Sequence, residues 1–235
     1  MARYQACLEV GEDGTCMAHV PELIGCVAVG RTREEALERL RTAVSEHLAW
    51  LAEHREVPVS PAESEEVEIE VVEEVSTPGS YPRKPGEPVA FFATDEEPLP
   101  YHDLQTAVRL MEHARRDLLE FLRGVPDSLL DWRPSFDEPS IAELLVAMAN
   151  AEASYLAYLD DKLERYPFPQ LAAIRSWVYH RLSRLTEAEL SRLTTRGDEK
   201  WSARKVLRRL LEDDREHTTY VHSLLARYHR DPPNA

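Results

Sequence analysis

The chain is poor in the residues that mark secreted, membrane-spanning or nucleotide-binding proteins. It has three cysteines in 235 residues, Cys7, Cys16 and Cys26, all within the first thirty. An odd count without paired metal spacing supports neither a disulfide framework nor a zinc ribbon. Each lies in a short apolar stretch, where a free thiol acts as a small buried hydrophobe, and a reducing, cytoplasmic setting is expected. No apolar run approaches the roughly 20 residues that a bilayer-spanning helix needs, and the opening MARYQACLEV alternates instead of forming a signal segment. Eight glycines with no paired G-x-G leave no phosphate cradle. The G-x-S-x-G turn of serine hydrolases is missing as well.

Positive charge is scarce in the first half. Residues 1–100 hold 8 basic and 21 acidic side chains, against 20 and 22 in the remainder, for a net charge of -15. A DNA or RNA backbone would repel so acidic a segment, so no nucleic-acid partner is expected. The basic group Arg204, Lys205, Arg208 and Arg209 is interleaved with acids soon after and reads as a solvated helix face.

What is present is a strong change of period along the chain. Residues 3–10 and 15–20 alternate apolar and polar as half-buried strands do, around a Gly11-Glu12-Asp13-Gly14 turn. Cys26 to Val29 supplies a third strand. Thr32 with Glu35 opens a helix as a reciprocal capping box. Ala36, Leu40, Val44, Leu48 and Leu51 form its apolar stripe, to be packed on a sheet face. Val67 to Val71 alternates again. The order is β-β-β-α-β, an α+β domain over residues 1–75. Six prolines between residues 76 and 100 predict a semi-rigid linker.

Helical periodicity fills residues 101–230. Helices are expected at about 101–123, 140–165, 170–185 and 202–229, with caps at Ser140 and Ser202 and a short turn opened by Thr186 and Glu189. Four amphipathic helices define an all-α, up-down four-helix bundle.

Residues VPELIGCVAVGRTREEALERLRTAVSEHL resemble the HicB-like family, the antitoxin side of bacterial toxin–antitoxin pairs. The resemblance spans about residues 3–75 and implies a protein partner. The usual DNA-binding segment of that family is replaced here by helices. The stretches SIAELLVAMANAEASYL and WSARKVLRRLLEDDREHTTYVHSLL resemble the DinB-like superfamily over about residues 103–228. That likeness implies a homodimer and a divalent metal, zinc or nickel, held by three histidines. The matching positions are Ala147, Asp213 and His217, so one ligand is lost, one becomes a carboxylate and one is kept. Asp213 and His217 share a helix face at i,i+4, but a catalytic zinc site ordinarily takes three protein ligands. His113 or Glu152 would have to supply the third. Two readings follow: a non-catalytic binding or regulatory protein with a degenerate metal site, or a metal- and thiol-dependent transferase.

Overall fold

A computed structural model describes residues 2–56, 67–81, 88–136, 138–159 and 171–230. Pro58, Pro61 and Glu63, the prolines Pro82 and Pro85, and the stretch through Arg165, Pro167 and Pro169 lie outside the described residues.

The N-terminal part follows the β-β-β-α-β order. Strands β1 (Ala2–Gly11) and β2 (Cys16–His19) meet at a turn whose Thr15 donates from both N–H and hydroxyl to Asp13 Oδ1, at 3.0 and 2.6 Å. Strand β3 (Val27–Gly30) leads to helix α1 (Arg33–Glu53). Thr32 Oγ1 accepts from the Glu35 amide at 3.2 Å, and the Glu35 carboxylate reaches back one residue further than expected, to the Arg31 amide at 2.7 Å. Strand β4 (Val67–Thr77) runs past the expected end at Val71, because its alternation continues through Glu73 and Val75. The sheet order is β3-β2-β1-β4, with β4 parallel to β1 and a bulge between Ala6 and Cys7.

The two faces of this sheet have different neighbours. Ala6, Leu8, Cys16 and Ala18 share a core with Ala36, Leu40 and Val44 of α1. Side chains alternate across a strand, so Cys7, Glu9, Met17 and His19 face the other way. All four are buried too. All three cysteines are free and buried, and burial pushes the Cys7 thiol up to about 11.

The remainder is helical. Helix α2 (Tyr101–Phe121) stops before Gly124, whose positive φ of 84° suits glycine, and Pro126. A short α3 (Asp127–Leu130) precedes α4 (Ile141–Leu156), which opens on the Ser140–Glu143 capping box. Helix α5 (Leu171–Leu182) and a one-turn α6 (Glu187–Leu190) follow. A hairpin of β5 (Leu193–Arg196) and β6 (Glu199–Ser202) then enters α7 (Ala203–Arg230), whose Lys205 amide is capped by Ser202. Helix α7 packs on α2 and α4, and α5 packs on α4 and α2.

The hairpin has no counterpart in the helical periodicity. Trp201 sits on β6 and stacks on Tyr158 at 3.8 Å. Residues 88–100, within the expected linker, are packed into the protein. Val89, Ala90, Phe92 and Leu99 are buried, and Phe92 seats against Cys7 and Val75. Proline removes amide donors, yet it leaves the apolar run Val89 to Phe92 free to seek a core.

Candidate functional site

The first half of α7 is covered on every side. Its residues 203 and 205–214 are all buried, because the second sheet face and the strap at residues 88–100 lie over it while α2 and α4 pack below. The expectation of a solvated basic face is therefore corrected. Lys205 is 0%, Arg208 6% and Arg209 3% exposed. A charge removed from water must find partners, and each of these has them.

Lys205 Nζ donates to the carbonyls of Val89 (3.0 Å) and Lys200 (3.1 Å), and lies 4.2 Å from the Trp201 ring centre. Burial pushes this amine down to about 8, against the pull of Glu199. Arg208 donates to Asp95 and Glu212 and to the Ala90 carbonyl. Burial alone would lower its pKa, but Glu212 and Asp95 outweigh that and raise it. Glu212 also meets His19 Nδ1 at 2.6 Å and Arg209 at 3.1 Å. Desolvation pushes the Glu212 carboxyl up; Arg208 and His19 win and hold it well below the usual carboxylate range.

A second buried network lies among the helices. Arg115 donates to Glu152 at 2.5 Å and Asp214 at 2.8 Å, and Arg175 donates to the same two carboxylates at 2.7 Å. None of this quartet was read as an ion pair from sequence, although Glu152 carried a signal. It falls in phase with Ile141, Leu144, Met148 and Leu156, the buried stripe of α4, where a carboxylate needs a cation.

The residues read as metal positions lie apart in their chemistry. Asp213 is buried, its carboxylate accepting from Arg209 at 3.1 Å, while the same guanidinium donates to the Tyr155 hydroxyl at 3.3 Å. Desolvation raises its pKa, against Arg209. His217 donates from Nδ1 to the backbone oxygen of Asp213 at 2.7 Å, the i−4 carbonyl. Ala147 is on the exposed side of α4, while Met148 and Ala149 enter the core. His113 is bonded to Glu56 at 3.2 Å and Glu152 to the two arginines. Among the described residues no group of three or more His, Cys, Asp or Glu is placed to hold a metal ion. The side chains present do not fit a three-ligand centre.

Such an arrangement, a small mixed sheet seated on the central helix of a mainly helical half, defines a two-part protein with an N-terminal sheet domain and a helical C-terminal part that carries one hairpin. Its N-terminal part is 34% identical over 62 residues to UPF0150 protein Ta0767 of Thermoplasma acidophilum, covering 26% of this chain and 90% of that protein. The chain belongs, through that part, to the UPF0150 family, and the HicB-like reading is supported. Residues 110–221 match the DinB superfamily and form a DinB-like domain. No solved structure matches the chain. Among the described residues no helix is long and apolar enough to cross a membrane.

Proposed function

We propose that this protein is a non-catalytic binding or regulatory protein, built on an up-down DinB-like bundle whose metal positions no longer make a site. The observation that carries this reading is the engagement of Asp213, whose buried carboxylate accepts from Arg209 inside the helical core. Displacing Arg209 to admit a metal would strand a buried guanidinium, a change that costs about 3–5 kcal/mol in comparable pairs. Elemental analysis and zinc or nickel titration test the reading on wild type and His217→Ala. We expect no stoichiometric ion in either. One ion per chain, lost in His217→Ala, would overturn the reading in favour of the metal- and thiol-dependent transferase.

The binding surface in this reading is the outer edge of β4. Among the described residues that strand ends the sheet, and an open edge is a template for another strand. Glu68, Glu70 and Glu74 lie along it beside two cations, Arg3 and Arg33, and this acidic excess favours a protein partner with a basic surface. Capture from the native host with wild type and Glu70→Lys checks this; a wild type that retains no protein sinks it. A homodimer through helix faces completes the proposal, supported by the exposed Leu119, Phe121 and Val146. A sedimentation mass of one chain would remove it.

A further inference from the structure

An open cleft of about 390 Å³ lies between α2 and α5, lined among others by Arg115, Arg116, Arg123, Arg175 and Tyr179. Arg115 and Arg175 are buried and Arg116 and Arg123 exposed, so the cleft runs from guanidiniums inside the protein to guanidiniums at its rim. Glu112 and Glu120 also stand at the rim.

Arg175 is 3% exposed, and its bonds to Glu152 and Asp214 all leave from Nη2. Among the described residues its Nε and Nη1 are buried without a hydrogen-bond partner. A buried donor left unmade costs about 1–3 kcal/mol, and native proteins rarely leave two on one side chain. On the acid side, Glu152 Oε1 accepts from both arginines, while among the described residues Oε2 is buried without a hydrogen-bond partner. Burial pushes the Glu152 carboxyl up, against Arg175 and Arg115.

We propose that this cleft binds a small ligand through one oxyanion group, a carboxylate or a phosphate, whose oxygens accept from the partnerless nitrogens of Arg175 while Arg116 and Arg123 meet its charge at the rim. Guanidinium pairs well with either group, because its planar donors match two oxygens at once. The nitrogens that would meet the anion belong to Arg175, Arg116 and Arg123, none of them a metal position, so the absence of a bound metal leaves the proposal standing.

Isothermal titration of the full chain with inorganic phosphate and with succinate tests the proposal, at ionic strength held constant with potassium chloride. A saturable heat from one or both is expected, weakened about tenfold in the Arg116→Gln/Arg123→Gln double variant, the effect of losing charge-assisted bonds at a rim. Both substitutions are at exposed positions, so the fold is retained, and a matching thermal melt checks it. Phosphate alone would assign a phosphate ester, succinate alone a carboxylic acid. No saturable heat from either anion, or equal affinity in the double variant, would overturn the proposal.

Discussion

His19 on β2 holds Glu212 on α7 at 2.6 Å, Nδ1 to Oε1, with both side chains buried. The contact ties the UPF0150-like sheet to the DinB-like helices by a bond that neither half can make alone. Arg208, Arg209 and Asp95 surround it, so its loss is felt by the whole seam.

Replacing Glu212 with Gln should be the most damaging single change in that seam. It leaves Arg208 and Arg209 buried with one anion fewer, and about 3–5 kcal/mol of stability should go. His19→Ala should cost less, about 1–3 kcal/mol, because the arginines still hold Glu212. Urea unfolding of both variants checks the ranking. The sign with pH follows from the depressed Glu212 carboxyl: its contribution is complete above the ordinary Glu value of about 4.3 and is lost as pH falls below it.

His47 should make the protein sensitive to mild acid at higher pH than Glu212 does. Among the described residues both of its ring nitrogens are buried without a hydrogen-bond partner, and burial, with Arg215 adding to it, pushes the imidazole down to about 3. The unfolded chain takes up this proton near pH 6.5 and the folded chain does not. Stability therefore falls by about 1.4 kcal/mol per pH unit between roughly 6.5 and 3. His47→Leu should flatten that slope and be the more stable protein at pH 5. Urea midpoints from pH 7.5 to 4.5 decide it; parallel profiles would assign the slope to another group.

Lys205 predicts the opposite end of the pH range. Its pKa of about 8 lies below the ordinary lysine value, so the unfolded state binds more protons between about pH 8 and 10.4. Wild type should accordingly gain melting temperature relative to Lys205→Met as pH rises from 8 to 10. A constant difference between the two across that range would mean that Lys205 stays charged in the folded state.

Gly25 should tolerate no side chain. Its φ is +87°, and a Cβ there would stand 3.3 Å from Leu211 Cβ on α7. Gly25→Ala should lose about 1–2 kcal/mol from the left-handed backbone alone, with the contact to α7 adding to it. Thermal melts set this against Gly14→Ala, where φ is +84° and nothing lies within 4 Å. Equal losses would remove the contact with α7 from the account.

Local order was legible in the sequence because it is written in short-range patterns. Alternation marked β1, β2 and β4, the Thr32, Ser140, Ser202 and Thr186 caps marked where helices begin, and Gly124 with Pro126 marked where α2 ends. These features depend on residues three or four apart and on backbone rules that hold in any context. The β5–β6 hairpin was not legible, since Leu193–Ser202 carries one turn and little apolar alternation between two helical stretches.

The candidate site belongs to the tertiary structure. The run Lys205, Arg208, Arg209, Glu212, Asp213, Asp214 has the look of a solvated surface, and nothing within α7 says otherwise. It is buried because the sheet and the strap through Phe92 settle on it, bringing His19 and Asp95 from 193 and 113 residues away. Whether a charged side chain is solvated or paired depends on which distant carboxylate the fold brings within about 3 Å. The sequence by itself determined the helices, the N-terminal strands and the likeness of each half to a known family; the packing of one half on the other decided which of their charges are interior.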